Sequence, residues 1–426
     1  MAQARTRAPS LMDQSSADFG PMVAAVVAVT LVVTVGWVYL APLVDPVISK
    51  NPLHGDAARY HELALNLLAG RGFSTESGPT SFQAPGYPAF LAVVYLFFGP
   101  QLTFARLTQA LLHSVTVLLV VVSARMVLRE TRSTVLASLI FGLNPLLIYT
   151  AEWLYSETLF ILVVAAALYT AAEITADGSE FKPGLFFGLG FLEGIAALIK
   201  SSFLPLIPLS FLWGYWILPA RARRLRLLMA ALVIAGALFP ITPWTVRNYL
   251  VHSQLVVIST NSGSNLNGGN NPLADGGFTP GYPYVVPGYS ETASDLLLTK
   301  AAIEYICSEP GAFLARMPQK LYKLLAVTEF GTSGQFPSRL SLAANAVYLV
   351  FLCLCIRGAI LSRRRQRHLL YGYLLVIVTI GTSLVFFGAT RFQLPLAPVF
   401  AMLAAVGLTN WSWPTVGLFR VKTDVI

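Results

Sequence analysis

The sequence predicts an all-α polytopic membrane protein, and three observations carry that prediction. Charged side chains supply only 12% of the 426 residues, about half of the ~25% usual in soluble proteins. Apolar residues supply 55% and recur in runs of about 20, the length of helix that crosses a bilayer. Runs such as LLMAALVIAGALF do not alternate apolar with polar residues, as the strands of a transmembrane barrel must. The three cysteines give no disulfide framework, because Cys353 and Cys355 share one apolar run and Cys307 stands alone in a polar stretch. A net charge of +9 would suggest nucleic acid in a soluble protein. In a membrane protein the position of positive charge matters more than its sum, and no nucleic-acid partner is expected.

Taking about 20 apolar residues as one span gives about ten transmembrane helices. They lie near 21–44, 103–127, 133–151, 158–176, 184–199, 202–218, 227–246, 340–361, 369–388 and 393–412. The first follows a short polar stretch, and its apolar run is too long for the core of a signal peptide, so it reads as an uncleaved span. The run PGYPAFLAVVYLFFGP, residues 85–100, is short for a span and is expected to be re-entrant or interfacial. Charge supports that expectation. If this run does not cross, 17 of the 29 Lys and Arg crowd beside membrane ends on one side, which the positive-inside rule makes cytoplasmic. The chain then divides into a cytoplasmic tail (1–20), a first transmembrane module (21–246) containing an outer loop (45–102), a long outer loop (247–339), C-terminal spans (340–412) and a second cytoplasmic tail (413–426).

Polar residues gather on the outer side. The first loop begins KNPLHGDAARYHELALNLLAGRGF, where Tyr60, Leu63, Ala64, Leu67 and Leu68 recur at helical spacing and predict an amphipathic surface helix, stopped by Gly70 and Gly72. Asp56 stands at its start, where a carboxylate commonly caps backbone N–H groups. The turn YTAEWLYSETLF holds Glu152 and Glu157; acids there are either solvated near a favourable helix dipole or share a metal or an acceptor hydroxyl with Asp56. His54 and Asp56 are close enough in sequence to share a metal, yet two residues do not make a site.

Lys200, Arg247 with Asn248, and Arg391 fall in or beside outer turns. Each alone reads as a snorkelling anchor. As a set they suit an anionic lipid phosphate, because short outer turns otherwise avoid positive charge and Arg offers a bidentate fork. The long loop carries STNSGSNLNGGNNPLADGGFTPGYPYVVPGY, whose Asn270, Asn271 and tyrosines suit either turns or sugar hydroxyls. The stretch after it reads as two helices broken at Pro310, with Ala301, Tyr305 and Ile306 on an apolar stripe packed over the spans. No Walker loop, His-x-x-x-His pair or G-x-S-x-G elbow occurs.

Four segments in order resemble family 39 membrane glycosyltransferases, the group that includes protein mannosyltransferases and lipid A aminoarabinose transferases. They are Asp56, Tyr60, Ala64, Gly70, Gly72 and Phe73 followed by QAPGYPAFLA; SETLF; PWTVRNYLVHSQLVVISTNSGSNLNGGNNP; and RFQLPLAPVFAMLAA. The resemblance implies a GT-C fold, a multispan helical bundle with extracytoplasmic loop helices enclosing a cleft. It also implies a polyprenyl-phosphate-linked sugar donor and a protein, lipid or glycan acceptor. It makes Asp56 the catalytic acidic residue of the first outer loop, acting as general base, and sets Glu157 near a second-acid position, with S-E where the pattern elsewhere is D-x-D. That departure leaves a divalent cation between Asp56 and Glu157 an open matter, and no other cofactor is expected. Lys200 stands where many relatives carry Arg. Tyr60, His54, Asn248, Asn270 and Asn271 are expected to contact substrate.

The function expected is inverting glycosyl transfer at the outer face of the plasma membrane. The alternative is a transporter or flippase of lipid-linked sugars, for which intramembrane charge would be the signal. Glu193 is the clearest acid within a span. The ionisable residues otherwise cluster at one face and no repeated halves are visible, which favours the enzyme.

Overall fold

A computed structural model describes residues 19–53, 55–176, 182–218, 223–327 and 339–410. In chain order the helices are α1 (Phe19–Val44), α2 (Pro46–Lys50), α3 (Asp56–Leu68), α4 (Gly86–Phe98), α5 (Leu102–Leu128), α6 (Thr131–Gly142), α7 (Pro145–Thr150), α8 (Glu157–Thr175) and α9 (Pro183–Ile199). They continue as α10 (Leu206–Ile217), α11 (Arg223–His252), α12 (Ser262–Gly269), α13 (Glu291–Ser308), α14 (Pro310–Leu325), α15 (Arg339–Leu361), α16 (Gln366–Val385) and α17 (Ala397–Thr409). Two-residue strands β1 (Ser74–Thr75) and β2 (Gly78–Pro79) pair antiparallel, Ser74 opposite Pro79, in the loop between α3 and α4.

Among the described residues, seven segments are long and apolar enough to cross a membrane: Phe19–Val44, Leu102–Leu128, Glu157–Thr175, Arg223–His252, Leu342–Leu361, Arg367–Val385 and Thr390–Thr409. Gly86–Phe98, Pro183–Ile199 and Ser201–Ile217 are shorter apolar helices. The span expected over 133–151 is instead two helices. Asn144 breaks it by accepting the amide of Leu146 at 3.0 Å, while Pro145 opens α7 at a position that needs no amide donor. The helix expected from 85 to 100 exists, and its 13 residues make it only about 20 Å long, against a hydrocarbon core of about 30 Å.

Small residues bring the helices together. A Cβ on Gly190 of α9 would lie 1.9 Å from the carbonyl oxygen of Val233, and one on Gly236 of α11 would lie 2.1 Å from that of Phe187. With no side chain on either face, α9 and α11 pack backbone to backbone, the contact that replaces the hydrophobic effect between helices in lipid. Buried Phe160, Leu189, Val233, Leu396 and Val399 belong to the largest core cluster, which joins α8, α9, α11 and the start of α17. Glu193 is buried there and accepts from the Tyr371 hydroxyl at 2.8 Å and from Ser210.

In the loop after α2, α3 packs against α4, with the rings of Tyr60 and Tyr87 5.0 Å apart and His61 Nδ1 2.8 Å from the Tyr95 hydroxyl. Its buried stripe is Ala57, Tyr60, Leu63 and Ala64, while Leu68, expected on it, is exposed. The helix pair broken at Pro310 is α13 and α14, but α13 buries Thr292, Ser294, Leu298 and Ala302. Ala301, expected in the stripe, is exposed. Helix α14 locks onto the end of α16 through Lys320, whose buried ammonium donates to Asn270 Oδ1 at 2.7 Å and to the carbonyls of Leu384 and Val385 at 3.0 and 3.3 Å. A cation there meets the negative end of the α16 dipole.

Candidate active site

A cavity of about 850 Å³ opens where the helix ends meet the two large loops. Its walls include Asp56, Arg59 and Tyr60 of α3, Ser156 and Glu157 at the start of α8, Lys200 after α9, residues 254–262 after α11, Asp295 and Thr299 of α13, and Arg391. Asp56 is the first residue of α3 and does not cap it. The N-cap is Gly55, with no side-chain cap bond and φ +61°, a conformation that disfavours any other residue. The Asp56 carboxylate turns into the cavity instead, and Oδ2 accepts from Arg391 Nη1 at 2.7 Å.

Arg391 sits on the 3₁₀ turn Thr390–Leu396 between α16 and α17. Its guanidinium lies 5.5 Å from the Tyr155 ring and 5.4 Å from the Phe392 ring. Beside it Lys200 Nζ donates to Glu157 Oε1 at 2.7 Å. Helix chemistry brings that pair together: Glu157 begins α8, where the dipole favours an anion, and Lys200 follows the C-terminus of α9, where it favours a cation. The close packing of α8 with α9 makes the two ends neighbours.

Burial raises the Asp56 carboxyl, but the charge and hydrogen bond of Arg391, helped by Lys200 and Arg59, overcome it and hold the group below its ordinary value. Asp56 is therefore ionised at neutral pH. Burial lowers the Lys200 ammonium against the raising charge of Glu157. The Tyr60 phenol is raised by burial and by the charges of Asp56 and Glu157, so it remains a neutral donor.

Asp56, Tyr60, Glu157, Lys200 and Arg391 thus converge as expected on one cavity, and His54 lies outside the described residues. Five other expected site residues are not among the lining residues. Glu152 is buried beside Arg106, whose Nε lies 2.9 Å from Oε1; burial raises its carboxyl to about 7 against the lowering charge of Arg106. Arg247 donates through Nη1 to the carbonyl of Thr80 at 2.7 Å and the hydroxyl of Ser81 at 2.9 Å, and through Nη2 to the carbonyl of Phe73 at 2.7 Å. Asn248 donates to the carbonyls of Val256 and Ile258, each at 3.1 Å, and accepts from Ser81 at 2.7 Å.

Trp244 of the same motif donates to the Ile258 carbonyl at 2.7 Å. The PWTVRN segment is thus a clasp joining α11 to the loop between α3 and α4 and to the cavity-lining chain 254–262. Asn270 holds the end of α16 through the Val385 carbonyl at 2.9 Å, and Asn271 closes the turn after α12 on Thr279 Oγ1 at 2.9 Å. Their amides are spent on backbone and side-chain partners of the fold. Replacing Arg247 with Met should therefore lower the thermal midpoint of the purified protein, by the loss of charge-assisted bonds worth roughly 1.5–3 kcal/mol.

Sequence reasoning missed Arg59, Ser156, Asn261, Asn265, Asp295 and Thr299, all of which line the cavity. Arg59 was within reach, since it stands three residues after Asp56 and so on the same helical face. Asp295 was not, because only the fold brings α13 to this wall; there its Oδ1 accepts from the Gly263 amide at 2.6 Å.

Residues 82–246 match the family described as dolichyl-phosphate-mannose-protein mannosyltransferase, a match over less than half of the chain. No curated protein matches the sequence. Among solved structures, the apo oligosaccharyltransferase of Archaeoglobus fulgidus superposes with a TM-score of 0.55 at 14% identity, covering 91% of this chain and 50% of that one. The oligosaccharyltransferase AglB of the same organism, in complex with an inhibitory peptide and a dolichol-phosphate, superposes with a TM-score of 0.54 at 13% identity over the same shares. The chain spans about half the length of these relatives. The protein is thus an all-helical polytopic chain of GT-C fold, with a segment similar to the protein mannosyltransferases.

Proposed function

We propose that this protein is an integral membrane glycosyltransferase that moves a sugar from a polyprenyl-phosphate-linked donor to an acceptor at the extracytoplasmic face. The observation that carries this reading is the ionised Asp56 carboxylate on the cavity wall, held by Arg391 beside the Lys200–Glu157 pair. Glycosyl transfer needs a base for the acceptor proton and stabilisation of the departing phosphate. Asp56 takes the proton as the acceptor heteroatom bonds to the anomeric carbon. The bond from that carbon to the phosphate oxygen breaks, and its electron pair leaves on the phosphate.

Arg391 and Lys200 meet the charge that develops there, and the neutral Tyr60 phenol supplies a further donor. A single displacement inverts the anomeric centre. Asp56 and Glu157 each face a cation rather than each other, and among the described residues no three His, Cys, Asp or Glu side chains form a metal-holding group. A divalent ion between the two acids would have to displace Arg391 or Lys200. That arrangement does not fit a shared metal, and no step is routed through one.

The donor class is supported by the archaeal relative, which was solved with a dolichol-phosphate. Purified protein incubated with a panel of polyprenyl phosphate sugars should release or transfer one of them. Failure with every donor, alongside bound lipid-linked sugar carried intact across vesicle membranes, would replace the enzyme with the transporter. No geometry favours that transporter: Glu193 is tied to Ser210 and Tyr371 and does not line the cavity.

Sidedness rests on the basic-residue count. Single cysteines placed at Ser77 and Arg363 should label from opposite sides of the membrane, the first from outside. Labelling of both from one side would reverse the assigned topology.

A further inference from the structure

Three cations line the cavity, and two of them already face carboxylates. The third is Arg59. Among the described residues it has no hydrogen bond or ion pair; its guanidinium rests 4.9 Å from the Phe82 ring and 4.9 Å from the Tyr284 ring. Those two ring centroids are 6.0 Å apart, so they subtend less than a right angle at Cζ. Both rings therefore lie within one hemisphere about Cζ, and the half-buried Arg59 lines the cavity. The rings fix the side chain without using its N–H groups.

Position strengthens the case. Arg59 follows Asp56 by one helical turn, with Cβ atoms about 5–6 Å apart, near the N-terminus of α3 where a helix dipole disfavours a cation. A cation kept there by two rings, with its N–H groups outside any ion pair or hydrogen bond among the described residues, is suited to an anionic ligand that arrives from outside the chain. The rim of the same cavity names the rest of that ligand. Leu255 and Leu296 line it and are 75% and 71% exposed, an apolar lip continuous with a charged interior. An occupant with a phosphate head and an apolar tail satisfies both.

We propose that Arg59 is a phosphate-binding residue of this cavity, gripping the head group of a polyprenyl phosphate while the tail leaves over Leu255 and Leu296. This rests on the donor class proposed above and moves the free phosphate contact from Arg247, which is spent inside the fold, to Arg59. Arg391 and Lys200 act with their carboxylate partners at the reacting end. Arg59 supplies a guanidinium that no carboxylate contacts among the described residues.

The test is a binding titration on the purified full chain with farnesyl phosphate, farnesol and inorganic phosphate as probes, comparing the parent with Arg59→Gln and Arg59→Lys. Thermal midpoints without ligand check that each variant is folded. Arg59→Gln should weaken farnesyl phosphate by roughly 10- to 100-fold, the loss of one charge-assisted contact, and leave farnesol unchanged. Arg59→Lys, which keeps the charge and loses the fork, should fall between. Inorganic phosphate should bind far more weakly than farnesyl phosphate; equal, Arg59-dependent binding of the two would keep the phosphate site and make free phosphate its occupant.

Equal affinity of a folded Arg59→Gln and the parent for farnesyl phosphate, or no phosphate binding by the parent, overturns the role of Arg59. The transfer reading fails separately. Sugar transfer by the parent with Arg59-independent phosphate binding would sink only this inference, whereas Arg59-dependent binding without transfer from any donor would sink only the enzyme.

Discussion

Replacing Asp56 with Asn should slow sugar transfer by roughly 10²- to 10⁴-fold, the usual contribution of a general base, while the protein still folds and inserts. The substitution is nearly isosteric and keeps an oxygen that can accept from Arg391 Nη1, which lies 2.7 Å from Oδ2 in the parent. It removes only the charge and the capacity to take a proton. A capping role would tolerate it, since Asn caps helices about as well as Asp, and the cap of α3 is in any case Gly55. The measurement is single-turnover transfer with saturating donor, with the thermal midpoint followed in parallel. Near-parental turnover would remove Asp56 from the chemistry.

Replacing Arg391 with Gln should lower kcat/KM by roughly 10²- to 10³-fold, as expected when one charge-stabilising donor is removed from the reacting end, and should also move the acid limb of the pH profile. Burial raises the Asp56 carboxyl, and in the parent Arg391 more than cancels that. The base is therefore ionised down to a pH below the ordinary carboxylate value, and activity falls only as the pH drops through that lowered value. Without Arg391 the effect of burial dominates. The Asp56 pKa then rises, and kcat/KM starts to fall at higher pH than in the parent. The check is kcat/KM against pH, which reports groups of the free enzyme. A lower rate with an unmoved acid limb would mean that Arg391 binds donor without tuning Asp56.

The ion pair has a chemical consequence of its own. A depressed pKa makes Asp56 a weaker base, which costs some driving force for proton transfer, yet it keeps the group deprotonated at neutral pH. Its side chain and that of Arg391 are 31% and 37% exposed, so water reaches both.

The sequence by itself determined the class of fold and most of the span positions, because both follow from the length of apolar runs, which a bilayer reads directly. It also selected Asp56, Tyr60, Glu157, Lys200 and Arg391, four of them charged residues beside outer helix ends, where charge needs a reason. What failed was the assignment of roles within one motif. Arg247, Asn248, Asn270 and Asn271 are polar residues beside the right loop, and sequence alone does not distinguish an amide facing a sugar from one spent on the backbone carbonyls of Val256, Ile258 or Val385. The Asn144–Pro145 break was legible and was overridden by the apolar run on either side of it.

Only the tertiary structure decided the charge balance of the cavity, because ion pairing depends on distance and not on sequence separation. Asp56 and Arg391 stand at opposite ends of the chain and meet at 2.7 Å, as do Glu157 and Lys200 from adjacent helices. Those two pairings leave Arg59 as the lining cation without a carboxylate among the described residues, and they give two acids that look alike in the sequence separate cationic partners.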